Sequence, residues 1–183
     1  EKILNLSKKL NIYDEIPELL SVSLGAAETT LISLTSSYAP FVNGGNKIEP
    51  KLINRIQDRR GKTIFQEKSI KCIGCDKFIN EKTELPKIEN NTEKVISEET
   101  AYQMTSILEG AVKRGTGKKL RSLKVPLAGK TGTTNDNYDA WFIGFSSNLV
   151  IGVYVGYDNP KTLGKFETGS KAALPIFKDF VEK

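Results

Sequence analysis

Histidine is absent from this 183-residue chain. Its absence removes Ser-His-Asp hydrolysis, Cys-His proteolysis and every zinc site built on imidazole, so proton transfer falls to lysine, tyrosine or carboxylates. Cysteine occurs only as Cys72 and Cys75, one CxxC in a polar stretch, and a structural zinc site of the usual kind needs further Cys or His ligands that the sequence does not hold. Redox motifs of this spacing sit at strand-to-helix junctions, whereas Lys71-Cys72-Ile73-Gly74-Cys75-Asp76 reads as a surface loop. The pair is therefore read as a local disulfide or two free thiols. Long apolar runs are missing too: none approaches the roughly 20 residues that cross a bilayer, and the N-terminus has neither a basic head nor an apolar signal core. An anchor or export signal is expected outside the chain. The sequence opens on Glu1 rather than Met and enters a helical pattern almost at once, so it is expected to begin inside a longer gene product.

What is present fits a globular domain or a large piece of one, with 38% hydrophobic and 27% charged residues. The net charge of +5 is spread over Lys8-Lys9, Arg59-Arg60, Lys62, Lys118-Lys119 and Arg121, which describes a solvated basic face and no nucleic-acid site. Ile3, Leu4, Leu6 and Leu10 predict a short amphipathic helix ending near Asn11 and packing on the core. After Val22-Ser23-Leu24-Gly25, the series Leu31, Leu34, Tyr38, Phe41 and Val42 predicts one helix, bent near its end by Pro40 and stopped by Gly44-Gly45. Residues 50–66 read as a hairpin turning at Asp58-Arg59-Arg60-Gly61-Lys62, with Gly61 where a positive φ is needed. The arginines at its tip are read as solvated rather than as an anion site. Residues 67–94 turn polar without a lasting period and predict an inserted, mobile surface loop.

Ser97 then makes an N-cap, with Glu98 and Glu99 at the positive end of a helix dipole. That helix should run to about Lys113, present Ala101, Met104, Leu108 and Val112, and stop before Gly115 and Gly117. Residues 140–145 and 149–155 are apolar strands separated by Ser146-Ser147-Asn148, expected to be antiparallel neighbours. A last helix begins near Lys171, takes Pro175 in its first turn and presents Leu174, Phe177, Phe180 and Val181 to the sheet. Helices on an antiparallel sheet make an α+β arrangement.

The chemistry signal is Ala128-Gly129-Lys130-Thr131-Gly132-Thr133-Thr134. A phosphate loop needs a glycine where Lys124 stands, and the spacing from Gly110 to Gly115 is followed by Thr116 rather than lysine, so nucleotide binding is excluded at both. The remaining reading is an edge strand beside a cleft, where a cation, hydroxyls and a backbone N–H meet a carboxylate and a reacting carbonyl. Gly132 would let substrate approach the backbone. Alone, the tripeptide fits a strand lysine of no consequence better.

Its surroundings decide between the two. Ala101-Tyr102-Gln103-Met104, Arg114-Gly115-Thr116-Gly117, Ala128 to Thr134 with Asn135-Asp136, and Asp139-Ala140-Trp141-Phe142 occur in one order. Together they resemble the transpeptidase domain of class A penicillin-binding proteins. The resemblance extends back to Ser23-Leu24-Gly25, residues 38–45 and the 50–65 hairpin. It implies that residues 1–183 are the C-terminal part of such a domain, with a penicillin-binding, serine β-lactamase-like fold present only in part. It also implies acyl transfer by an active serine on peptidoglycan stem peptides ending in D-Ala-D-Ala, with β-lactam antibiotics as mimics, and neither cofactor nor metal. Carried onto this sequence, Lys130 supplies positive charge and helps proton transfer, the Thr131 and Thr133 hydroxyls hold the substrate carboxylate beside Gly132, and the Thr133 N–H is an oxyanion donor. Such a donor is worth roughly 3 kcal/mol of transition-state stabilisation.

No serine here begins the family's Ser-x-x-Lys, and its Ser-x-Asn is matched only by Ser146-Ser147-Asn148, which is out of order and read as coincidence. Both motifs are expected upstream of Glu1, which would leave the chain alone inert. Arg114 to Gly117 either rim the cleft or form an ordinary helix-ending loop. Trp141 and Phe142 are read as core and cleft wall, and Met104 as packing. In the resembled family an N-terminal glycosyltransferase and a membrane anchor accompany the domain on the extracytoplasmic face of the bacterial inner membrane, in the periplasm. β-Lactamases and D,D-carboxypeptidases share the three-motif cleft, but the surrounding segments favour the class A transpeptidase. A non-catalytic module of the same fold is the reading from another class.

Overall fold

A computed structural model describes residues 2–13, 15–17, 19–67, 70–75, 85–90 and 92–183. The chain divides into two compact units, Glu1–Ile48 with Lys94–Lys183, and Glu49–Glu93.

The larger unit opens with α1 (Lys2–Lys9), which ends where Asn11 takes a left-handed φ of 55° and the Asn11 and Ile12 N–H groups close back on Lys8 and Ser7. Its apolar stripe is not the core element expected: Leu10 is buried, but Ile3 and Leu6 are exposed. The single helix expected over residues 31–42 is two, α2 (Leu31–Ser36) and α3 (Ala39–Val42). Pro40 has no N–H to give a carbonyl in the preceding turn, so the break falls just before it and leaves it near the start of α3, where the missing donor costs nothing. Hydroxyls bonded back to carbonyls, Thr35 to Leu31 at 2.6 Å and Ser37 to Leu34 at 2.7 Å, help end α2.

The smaller unit is two hairpins. β1 (Arg55–Gln57) pairs with β2 (Thr63–Gln66), and Gly61 in their turn takes φ 81°. β3 (Ile70–Ile73) pairs with β4 (Lys87–Asn90) in the stretch read as irregular. Cys72 and Cys75 form a disulfide, with Cα atoms 5.8 Å apart. The middle of the expected insertion, residues 76–84, lies outside the described residues, as do Glu1 and Asn91.

Returning to the larger unit, α4 (Glu98–Lys113) starts on Ser97, whose Oγ accepts the Thr100 N–H at 3.2 Å. The Glu99 carboxyl is held below the usual carboxylate range by its own backbone N–H and by Ser97. Then come β5 (Ala128–Thr133), β6 (Ala140–Phe145), β7 (Val150–Val155) and α5 (Ala173–Glu182). The three strands form one antiparallel sheet in the order β5-β6-β7.

Side chains alternate across this sheet. Ala140 and Phe142 meet Ala173, Leu174 and Phe177 of α5, joined by Val112, Leu120 and Leu127. Ala128 and Phe145 on the opposite face meet Leu108 of α4, with Tyr38, Phe41 and Val150 packed against them. Val181 packs on the α5 cluster, but Phe180 is 63% exposed. At about 3.6 residues per turn it points roughly 100° away from Val181, off the buried stripe.

Phe177 is fully buried and meets Phe142 edge-on, with ring centroids 4.8 Å apart. Phe177→Ala should therefore destabilise the chain by about 3–5 kcal/mol, read as a fall in the chemical-denaturation midpoint. A change under about 1 kcal/mol would mean that α5 is not seated on this sheet.

Candidate active site

The phase of the β5–β6 ladder positions the site. Thr134 donates its N–H to the Asp139 carbonyl at 3.1 Å, continuing the register that pairs Thr133 with Ala140 and Gly132 with Trp141. In an antiparallel ladder inward and outward backbone groups alternate by residue. Gly132 and Lys130, two and four residues before Thr134, therefore turn their N–H and C=O toward β6. Thr133 and Thr131 turn theirs outward, along the free edge of the sheet. The same alternation places the Thr131 and Thr133 side chains on the α5 face and that of Lys130 on the other.

Each hydroxyl has a neighbour behind it. The Gly169 N–H donates to Thr133 Oγ1 at 3.1 Å. Because an N–H can only donate, Thr133 keeps its own O–H free to point elsewhere. The Thr131 and Thr116 hydroxyl oxygens are 2.8 Å apart. Lys130 reaches round the strand, and its ammonium donates to the Thr131 carbonyl at 2.8 Å. Lys130 and Thr133 are exposed, and Thr131 and Gly132 partly so.

Gly132 is enclosed on both faces. A Cβ built there would sit 3.1 Å from the Trp141 Cβ, while a Cβ on Gly169 would fall 2.5 Å from the Gly132 carbonyl oxygen and against that of Trp141. Gly169 can cover this part of the ladder only as glycine, which leaves the outer edge of β5 as the open approach. Two surface hollows, one around Leu120 and Leu123 and one around Phe177 and Phe180, include none of residues 130–133.

A family model for the penicillin-binding protein transpeptidase domain matches residues 16–182. The chain belongs to the penicillin-binding protein transpeptidase family. It is 45% identical over 184 aligned positions to penicillin-binding protein 1A of Rickettsia prowazekii, covering 98% of this chain and 23% of that protein. To penicillin-binding protein 1A of Pseudomonas aeruginosa it is 36% identical, covering 90% and 24%. The crystal structure of penicillin-binding protein 1A from Haemophilus influenzae superposes with a TM-score of 0.79 at 34% identity, covering 96% of this chain and 29% of that one. The chain thus spans about a quarter of the length of these relatives, and the class A resemblance read from the sequence holds. The fold is the penicillin-binding transpeptidase fold, with mixed helices and antiparallel sheet, present in part.

Within this penicillin-binding fold the Lys130 to Thr133 segment is the edge strand expected. Ser146-Ser147-Asn148 lies in the β6–β7 turn, with Ser146 Oγ bonded to Asn148 Oδ1 at 3.0 Å. Trp141 is partly buried and meets Tyr154 at a tilt of 54°, with ring centroids 4.7 Å apart. The Arg114–Gly117 loop, left open between rim and ordinary loop, reaches β5 through Thr116. Gly169 escaped sequence reasoning altogether, because its place against Thr133 is a contact across 36 residues and glycines before helices are common. Among the described residues no group of His, Cys, Asp or Glu is placed to hold a metal ion, and no helix is long and apolar enough to cross a membrane.

The turn that follows the site holds a tyrosine of β7 by a hydrogen bond. Tyr154 donates its phenol O–H to Asp139 Oδ1 at 2.8 Å, and this bond to a carboxylate raises the phenol above its ordinary value of 10.0. The folded state thus holds that proton more tightly than the unfolded chain. The resulting stability is intact below pH about 10 and is lost as pH rises through the folded value. Asp139→Asn should move the Tyr154 titration down toward 10, followed by NMR of the ring protons. An unmoved titration would show that the bond does not form in solution.

Proposed function

We propose that this chain is the substrate-holding part of a serine-type peptidoglycan D,D-transpeptidase. The observation that carries the reading is the outward edge of β5: the Thr133 N–H, the Thr131 and Thr133 hydroxyls and the Lys130 ammonium lie within four consecutive residues, beside a strand edge that a peptide can extend. The kinship with penicillin-binding proteins 1A supports the same activity.

In this reading a stem peptide ending in D-Ala-D-Ala lies along the edge. The Thr131 and Thr133 O–H groups donate to its terminal carboxylate, and Lys130 adds positive charge. A serine from a part of the protein outside this chain attacks the carbonyl of the penultimate residue. The oxygen turns negative and accepts the Thr133 N–H, one of two donors that the reaction requires. The peptide bond breaks, the terminal D-Ala leaves with a proton on its nitrogen, and an acyl-serine remains. An amine of a second stem peptide then takes the acyl group and releases the serine. A β-lactam offers the same carboxylate and carbonyl but keeps its leaving nitrogen tethered, so the acyl-enzyme persists. Gly132, closed by Trp141 and Gly169, would meet substrate at its edge rather than at its face.

None of the serines in this chain has lysine three positions later, so the isolated chain should be inactive. The whole protein is read as carrying a glycosyltransferase and a membrane anchor as well, and as working on the periplasmic face of the inner membrane. Residues 67–94 are read as an insertion in the domain. A longer product of the same gene, extended upstream through a Ser-x-x-Lys, should gain the mass of one penicillin on incubation, whereas this chain alone should gain none. A folded longer product that gains nothing would refute acyl-serine chemistry and leave a non-catalytic module.

A further inference from the structure

The Thr116–Thr131 contact lies outside the groups that the reaction itself requires. Thr116 lies on the loop between α4 and β5, and its side chain is exposed. Two glycines hold that loop against the helix it follows: the Ala111 carbonyl accepts the N–H groups of both Gly115, at 3.1 Å, and Gly117, at 3.0 Å. A Cβ on Gly115 would come 2.9 Å from that same oxygen, and one on Gly117 within 3.2 Å. Only glycine lets the chain double back so tightly there. The next turn, residues 118–122, is anchored by Leu120, which is 1% exposed. Thr116 is thus presented to β5 from a braced loop.

We infer that Thr116 is a positioning residue that turns the Thr131 hydroxyl into a donor aimed at a substrate carboxylate. The inference rests on the transpeptidase reading above. A hydroxyl can both give and accept, and left alone it points its proton wherever solvent allows. At Thr133 the Gly169 N–H fills one acceptor position and leaves the O–H to donate to a ligand. Thr116 gives Thr131 the matching arrangement: when a carboxylate arrives, the Thr116 O–H donates to Thr131 Oγ1 and the Thr131 O–H donates onward. Bonds in such a chain polarise one another, and the last is strengthened by the charge it meets. The two threonines then form a paired donor set, each backed by a donor from a different segment. A carboxylate accepts both hydrogen bonds on charged oxygens, whereas an ester offers neutral oxygens and gains far less.

The test uses the longer gene product and follows acylation by intact mass, with a penicillin as free acid and as its methyl ester. Thr116→Val should slow acylation by the free acid about fivefold to tenfold, change the rate with the ester less than about twofold, and leave the melting temperature within about 2 °C. Thr116→Ser should restore the free-acid rate, because it returns the hydroxyl. In a Thr131→Val background, Thr116→Val should cost nothing further. The inference alone is overturned if the wild-type protein is acylated and Thr116→Val acylates as fast with the free acid, if acid and ester slow equally, or if serine fails to rescue. Absence of acylation in folded wild-type protein overturns the inference together with the reading beneath it.

Discussion

The phase of one antiparallel ladder governs this site. A slip of one residue between β5 and β6 would turn the Thr133 and Thr131 backbone groups inward, expose those of Gly132 and Lys130, and exchange every side chain between faces. Two kinds of interaction prevent it. On the faces, Ala128 and Phe145 belong to one cluster and Ala140 and Phe142 to the other, so a slip would carry apolar groups out of both. At the turn, Asp136 and Asn137 take left-handed φ values of 57° and 55°. The Asp139 N–H bonds to Thr134 Oγ1 at 2.8 Å, and the long loop before α5 ties in through Thr162 to the Asp136 carbonyl at 2.8 Å. Asn and Asp bear such backbone angles better than other side chains do. The turn is therefore built from the residue types that can close it in this register.

The sequence made the sheet and its flanking helices readable because their signals are local. Two apolar runs with a three-residue polar break set β6 and β7, and a serine before two glutamates set the start of α4. What could not be read depended on partners elsewhere in the chain. The stripe of α1 predicts burial, but only Leu10 is buried, Leu4 is half-buried, and Ile3 and Leu6 stay exposed. β3 and β4 were hidden in polar composition, because a hairpin of Ile-Lys-Cys-Ile against Lys-Ile-Glu-Asn has too few apolar positions to show a period. The break between α2 and α3 is half legible: Pro40 marks a disturbance, but a proline in the first turn of a new helix and one bending an old helix read alike in sequence.

The site shows the same division. The family is legible because Lys130-Thr131-Gly132 stands among ordered segments that a chance tripeptide would not share. The groups behind the two hydroxyls are not, since Thr116 and Gly169 approach β5 from opposite directions along the chain, 15 and 36 residues from their partners. Their sequence signals, a Gly-Thr-Gly and a Thr-Gly-Ser, are those of any tight loop. Only the fold shows that each loop ends on a hydroxyl of the same strand.

A strand edge open to a peptide is equally open to another copy of itself. The backbone groups that Thr131 and Thr133 turn outward are donors and acceptors of the kind that drive edge-to-edge association, and of these the Thr131 carbonyl is covered by the Lys130 ammonium. β5 limits that hazard by being only six residues long and by placing the exposed Lys130 at its centre, since a charged side chain on an edge discourages strand pairing whatever chemistry it performs. A peptide with a terminal carboxylate meets that charge favourably, whereas a second β5 would bring a second lysine. In the proposed reading the lysine would thus discriminate at the edge before any reaction, through a repulsion that depends only on its position in the strand.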